Sequence, residues 1–361
     1  RGAVAVQRVV ALQAQHEADE LHDDVPVYDE RVLIRRAPYH YNAYDRKNDR
    51  ETVQPGKYAN LMRMYEDKPM HYDNWDIDCY YTEKFWDVTD VQRMEWTERG
   101  PVRATLEIER KVSCSVICQK IHFYAACPRI DFETTVDWKE HQHLLKAHFP
   151  MDVHTDEATF EIQFGNVTRK THQNTSWDQA RFESCGQKWI DVSEGHYGIS
   201  LLNDCKYGHS VHNGEMALTL IKSGTEPNPV ADQEMHVFTY ALYPHAETWR
   251  SAETVAQAYF LNQPVRATAG GTAGEAYSLA SVDAKNVILE TVKQAEDGDG
   301  VIVRLYECEN ARTTTKLHWN RPIASVTECD LQENALTDVP VEGGTFKFTI
   351  KPYEIRTFRI R

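Results

Sequence analysis

Seven side chains in two short stretches carry the chemistry most worth placing: Asp73, Trp75, Asp76 and Asp78 in residues 66–88, and Asn174, Trp177 and Asp178 in residues 161–206. The first stretch, EDKPMHYDNWDIDCYYTEKFWDV, holds two tryptophans, three tyrosines and seven acidic side chains with no steady period. A carboxylate beside an indole suits a pyranose ring: the oxygens accept from its hydroxyls while its C–H face lies on the aromatic. The same composition also fits an acidic solvated loop pinned by buried aromatics. Asp73, Asp76 and Asp78 are dense enough for mutual repulsion to create an acid pair. The second stretch sets His172, Asn174, Ser176, Trp177, Asp178, Arg181, Glu183 and Trp189 between two ends of alternating apolar character, Phe160 to Phe164 and Tyr197 to Leu201. This middle part is not read as strand and is too long and too rich in tryptophan for a tight turn. Two readings fit it: a wall for a polyhydroxylated ligand, or an ordered loop whose Trp177 and Trp189 plug the gap over a sheet.

Metal ligation has weaker support. Cys114, Cys118 and His122 fall at four-residue intervals, on one face of a strand or helix, whereas zinc knuckles use tighter pairs. His141 and His143 form an HxH whose rings share a strand face, with His148 as the nearby third ligand. Neither set is complete, and no metal site is assigned in this chain. The eight cysteines lack CxxC spacing and read as reduced and mostly buried, because a chain of this length needs no disulfide staple. Asn166-Val-Thr168 and Asn174-Thr-Ser176 match the glycosylation sequon, which matters only in a secretory compartment.

Forty Lys and Arg against 55 Asp and Glu give a net charge of −15, which repels phosphate backbones and anionic membrane surfaces. Nucleic acid and membrane are therefore not expected partners. No run approaches the length of a membrane span, and the first residues lack the charged start, apolar core and cleavage site of a signal peptide.

The elements that must hold these residues are strands. Val102 to Ile108, Ile117 to Phe123 and Ile130 to Trp138 alternate apolar and polar, and their short connections predict an antiparallel meander. Phe149 to Val153, Met216 to Leu220 and Val237 to Tyr243 add strands of the same kind. Arg31 to Ile34 and Pro38 to Tyr44 suggest a short pair that Leu61 to Tyr65 would continue. Residues 1–29 are left unassigned, 30–265 form one large antiparallel sandwich, and 266–361 comprise a Gly/Ala/Thr-rich linker and a small terminal sandwich, with a short helix at Ser251 to Leu261 before the linker. Phe346, Phe348, Ile350, Phe358 and Ile360 share one parity and Ile355 has the other, which a bulge or bend between Lys351 and Arg356 would reconcile.

Five runs then carry a family resemblance: YEDKPMHYDNWDID (65–78), RIDFETTVDWKEH (129–141), QFGNVTRKTHQNTSWD (163–178), SLLNDCKYG (200–208) and FTYALYPH (238–245). Together they resemble the C-terminal part of glycoside hydrolase family 38 alpha-mannosidases, in the bacterial and cytosolic-type branch. The likeness runs from about Asn48 to Gln263 and continues more weakly through VILETVKQAEDGDG (287–300). It implies an all-β fold, a galactose-mutarotase-like super-sandwich followed by a small β-sandwich. It also implies a retaining hydrolysis of terminal alpha-mannosides, in which one carboxylate attacks the anomeric carbon and a second acid protonates the leaving oxygen. In that family the zinc ion and the nucleophile belong to an N-terminal barrel, so no catalytic residue is carried onto this chain. The expected cofactor is zinc held by that barrel, and the expected partners are an alpha-mannoside and the barrel itself. Asp73, Trp75, Asp76, Asp78, Asn174, Trp177 and Asp178 are then candidates for the substrate rim or the domain interface. A cytoplasmic location and self-association through an uncovered face go with this reading. Two others remain: a free-standing carbohydrate-binding module, and an aldose mutarotase or epimerase, which needs a His acid and a Glu base facing one pocket.

Overall fold

The computed structural model describes residues 32–37, 40–271, 274 and 276–361; residues 1–29 lie outside them. Alternation builds the first sandwich. In Arg103–Val112, Ser115–Tyr124 and Cys127–Asp137, the side chains of Leu106, Ile108, Ile117, Ile121, Phe132 and Val136 are buried in one core. The expected meander forms and extends both ways, to Val91–Arg99 on one side and Met235–Ala246 on the other. Tyr197–Asn203, Trp189–Ser193, Glu157–Ile162 and Gly165–Lys170 complete a nine-stranded antiparallel sheet.

Facing it is a six-stranded sheet in the order Ser184–Cys185, Gly208–His212, Glu215–Ser223, His143–Pro150, Leu61–Glu66 and Phe85–Asp87. Its inner face supplies Met62, Met64, Leu145, Ala147, Phe149, Met216 and Leu218 to the shared core. Phe132 stacks on Tyr240 with centroids 5.0 Å apart. The Tyr240 hydroxyl closes a buried triangle, donating to Asn60 Oδ1 (2.6 Å) and accepting from Gln119 Nε2 (2.8 Å), while Asn60 Nδ2 donates to Gln119 Oε1 (2.7 Å). The Asn60, Gln119 and Tyr240 side chains are thereby satisfied by one another.

Two expectations are corrected, and one choice between alternatives is resolved. Leu61–Glu66 does not continue the N-terminal pair; Met62 and Met64 face the core, and the strand pairs with His143–Pro150. Val32–Ala37, His40–Asp45 and Arg50–Glu51 form a separate three-stranded ribbon, tied on by Arg50, 2.6 Å from Glu194 and 4.2 Å above the Tyr197 ring. The middle of the 161–206 stretch does contain strands, Gly165–Lys170 and Trp189–Ser193. Trp189 to Val192 are buried on both faces, which erases the alternation that marks a half-exposed strand. Finally, Thr345–Ile350 and Ile355–Ile360 belong to opposite sheets of the terminal sandwich. Of the two devices expected between Lys351 and Arg356, the structure has the bend, a corner that changes sheet, with Tyr353 at φ 53°.

The terminal sandwich closes its own core, where Phe358 meets Phe346 and Phe348 with centroids 5.0 Å from each. The helix Thr254–Asn262 wedges between the two sandwiches: Val255 and Ala258 share a cluster with Trp189, Trp249, Tyr306 and Cys308. Asn166 bridges the same seam, donating to the Cys308 carbonyl (3.1 Å) and accepting from the Tyr353 hydroxyl (2.8 Å). A Cβ on the adjacent Gly165 would stand 3.1 Å from the Tyr353 ring. This sequon's amide is therefore part of the seam between the sandwiches.

Candidate functional site

The strand His143–Pro150 reads HLLKAHFP, and because Leu145, Ala147 and Phe149 enter the core, Leu144, Lys146 and His148 take the outer face. The neighbouring strands place Arg63 and Tyr65 beside them on one side, and Ala217, Thr219 and, one strand further, Ser210 and His212 on the other. The two stretches singled out in the sequence cover this outer face. The 3₁₀ turn Cys79–Glu83 comes from the first, and Gln173, Gln179 and Phe182 from the second. Between them lies a cleft of about 490 Å³.

A three-residue chain runs along one wall. The Tyr65 hydroxyl is 2.9 Å from His148 Nε2, and His148 Nδ1 is 2.5 Å from Glu215 Oε1. Burial holds the His148 pKa below the ordinary imidazole value despite the Glu215 hydrogen bond. Burial alone would raise the Glu215 carboxyl, but the hydrogen bond from His148 and the nearby Arg63 bring it below the usual range. The network thus assigns a neutral imidazole that donates from Nδ1 to a charged carboxylate and accepts at Nε2 from Tyr65. The Tyr65 phenol is itself pushed up to about 12 by burial and stays protonated.

A second network lies under the cleft floor. The Lys146 side chain has no exposed surface; its ammonium pairs with Glu183 and donates to Ser210 Oγ (2.9 Å) and to the Tyr81 hydroxyl (3.1 Å). Tyr81 in turn donates to Glu183 Oε1 (2.8 Å), and burial and that carboxylate raise its pKa. Among the described residues, Glu183 Oε2, Thr219 Oγ1 and His212 Nδ1 are buried polar atoms left without a hydrogen-bond partner.

The sequence-selected residues occupy different stations. Asp73 is buried and accepts from the backbone N–H groups of Thr225 (2.8 Å) and Glu226 (2.7 Å), from the Thr225 hydroxyl (3.0 Å) and from Gln142 Nε2 (3.2 Å). Burial would raise its pKa, yet these donors hold it down at about 2. Asp78 accepts from the Met70 N–H (3.0 Å) and the Tyr80 hydroxyl, and Asp76 from its neighbour Ile77 (3.0 Å). The three carboxylates are thus held by separate partners rather than by one shared proton. Trp75 is 74% exposed, with the Tyr72 ring beside it at 5.7 Å. Asp178 closes a capping box with Thr175, whose hydroxyl lowers its pKa. Trp177 is 75% exposed, and Asn174 is exposed on the same turn. Trp189, grouped with Trp177 in the plugging reading, instead packs under the helix against Trp249 at 5.0 Å. Among the described residues no hydrogen bond, ion pair or ring contact joins the Asp73–Asp78 group to the Asn174–Asp178 group. The cleft between them brings the two stretches together through Cys79, Tyr81, Gln173, Gln179 and Phe182.

The HxH histidines do not converge with His148: His143 leans on Trp86 at 5.9 Å, and five positions along the strand His148 points to the opposite face. Among the described residues no group of three or more His, Cys, Asp or Glu side chains is arranged to hold a metal ion. Sequence reading missed the Tyr65–His148–Glu215 chain and the burial of Lys146. The available signal was a lysine and a histidine alternating with Leu145, Ala147 and Phe149 in an otherwise apolar strand.

Residues 39–230 match the Glycosyl hydrolases family 38 C-terminal domain, and 286–358 match the Glycosyl hydrolases family 38 C-terminal beta sandwich domain. The chain is 35% identical over 320 residues to Alpha-mannosidase 2C1 of Mus musculus and 36% identical over 318 residues to that of Homo sapiens, in each case over 85% of this chain. It spans 30% of the length of those relatives. A crystal structure of an alpha-mannosidase from Enterococcus faecalis V583 has the same fold, with TM-score 0.76 at 18% identity, covering 92% of this chain and 42% of that one.

Proposed function

Because the chain belongs to glycoside hydrolase family 38 and corresponds to its C-terminal β-domains, we propose that it works as the bracing part of a retaining alpha-mannosidase whose catalytic domain is a separate part of the same polypeptide. The observation that carries this reading is the 35–36% identity to Alpha-mannosidase 2C1 across both sandwiches. Met70, Tyr72 and Trp75 in one covering stretch and Trp177 in the other are large side chains left open to solvent, as expected of a surface that another domain covers. Among the described residues no group of His, Cys, Asp or Glu is arranged to hold a metal ion, and in this reading the zinc that the family resemblance implies belongs to the catalytic domain. Eight free cysteines support a cytoplasmic setting.

The test compares the isolated chain with a longer polypeptide that carries it behind a family 38 catalytic domain, on an aryl alpha-mannoside, with and without added zinc or cobalt. The longer polypeptide releases the aryl group and the isolated chain gives no release above buffer. Zinc-dependent turnover by the isolated chain, lost in Asp76→Asn or Asp78→Asn, would move the chemistry to the 66–88 loop and end the bracing reading.

A further inference from the structure

The cleft over the six-stranded sheet is built as a ligand site. Its volume, about 490 Å³, is in the range that encloses one small ligand. Tyr65, Tyr81 and His148 line it while each is more than nine-tenths buried, so their polar tips are pre-positioned and cost little to order on binding. His212, also in the lining, keeps a buried Nδ1 without a partner, and Glu183 Oε2 and Thr219 Oγ1 are left the same way beneath it. Buried polar atoms in that condition call for a hydroxyl from water or ligand.

The charges at the cleft argue against an anionic ligand. Arg63 is held by Asp87 at 2.7 Å and Lys146 by Glu183, so neither cation is free for a phosphate or carboxylate. What remains is a set of neutral donors and acceptors, one charged acceptor at Glu215, and the aromatic surfaces of Phe182 and of Phe85, one face of which lies under the Arg63 guanidinium at 4.2 Å. A ligand complementary to this has many hydroxyls, no charge and a flat C–H face.

We propose that the cleft binds one neutral aldohexopyranose, with Tyr65, Glu215 and His212 taking its hydroxyls, His148 holding Tyr65 and Glu215 in place, and Phe182 or the open face of Phe85 taking its C–H face. That the sugar is mannose rests on the alpha-mannosidase reading; that it is a hexopyranose rests on the cleft alone. His148 and Glu215 hydrogen-bond each other, so the carboxylate orients the imidazole.

Cys79 provides the reporter. It is exposed on the cleft rim, whereas the exposed Cys114, Cys185 and Cys205 are outside the lining. The purified chain is titrated by calorimetry with methyl alpha-D-mannopyranoside, methyl alpha-D-glucopyranoside and glycerol, and its alkylation by iodoacetamide is followed cysteine by cysteine. Expected are a dissociation constant in the millimolar range for a hexoside, none for glycerol, and alkylation slowed several-fold at Cys79 alone. Tyr65→Phe, which keeps the ring, weakens binding about fivefold to tenfold through one lost hydrogen bond; Gln179→Ala on the exposed rim gives a smaller loss with no cost in folding. A folded chain with no hexoside binding and no protection of Cys79 overturns the site. Binding of the glucoside without the mannoside keeps the site and overturns the mannose assignment, whatever the longer polypeptide hydrolyses.

Discussion

Lys146, with no exposed side-chain surface, is paired with Glu183, a residue 37 positions further along the chain on the loop that covers it. The pair fixes that loop to the outer face of the six-stranded sheet, and Tyr81 and Ser210 complete the lysine's hydrogen bonds. A buried ion pair of this kind adds little over a well-packed apolar pair, but losing one partner strands the other charge. Glu183→Gln is therefore expected to lower stability by about 3–5 kcal/mol, read from urea midpoints at constant slope. Lys146→Met combined with Glu183→Leu should recover most of that loss. A double variant as unstable as the single one would show that the charge pair itself, and not the stranded lysine, sets the cost.

The pH dependence has an equally specific source in His209. Its side chain is fully buried against Phe160, Nδ1–H donates to the Tyr207 carbonyl (3.1 Å), and burial depresses its pKa from 6.5 to about 3. His148 is depressed in the same direction. Below pH 6.5 the unfolded chain takes up protons that the folded one refuses, so stability falls as pH drops from 6.5 towards 3. The slope is about 1.4 kcal/mol per pH unit for each such histidine. In His209→Phe the wild-type slope between pH ~6.5 and ~5 should shrink by about one proton's worth. An unchanged slope would mean that His209 is protonated in the folded state.

Asp73 was selected as a ligand-facing carboxylate, and its geometry makes it the anchor of the 66–88 loop. Four donors from Gln142, Thr225 and Glu226 converge on it. Asp73→Asn retains the shape but turns one acceptor into a donor facing backbone N–H groups, a loss of roughly 2 kcal/mol. Its folded pKa of about 2 against the ordinary 3.8 adds stability that is present above 3.8 and disappears as pH falls to about 2. Hydrogen exchange should show the Thr225 and Glu226 amides, together with residues 72–83, losing protection while the meander keeps its own. Global loss of protection would make Asp73 part of the folding core rather than a local clamp.

What could be read in advance follows from how many faces of a strand meet solvent. Ser115–Tyr124 and Cys127–Asp137 alternate because one face is core and the other partly wet. Val91–Arg99 escaped notice because register shifts at Val91/Arg93 and Trp96/Glu98 break its period, and Trp189–Ser193 because both its faces are dry. The cleft was legible only in outline. Its two covering loops stand out by composition, but Tyr65, His148 and Glu215 lie 83 and 67 residues apart and meet only through antiparallel register, which local pattern does not encode.

The turn Ser176–Gln179 lets structural and interfacial roles be separated within neighbouring residues. Asp178 closes the capping box with Thr175 and lies 3.6 Å from His172, so Asp178→Ala should cost the isolated chain about 1 kcal/mol, the usual value of a lost cap. Trp177, 75% exposed, has nothing comparable to lose. Trp177→Ala is expected to leave the isolated chain's stability within about 0.5 kcal/mol of wild type and to reduce its self-association in light scattering at high concentration. In the longer polypeptide the order should reverse: Trp177→Ala lowers turnover or the melting temperature of the assembled enzyme more than Asp178→Ala does, because a partly buried interfacial indole contributes far more than a cap on a short exposed turn. If Trp177→Ala leaves both the assembled enzyme and the self-association untouched, the indole is a surface residue of an exposed turn, and the covered face must be sought around Trp75 and Met70.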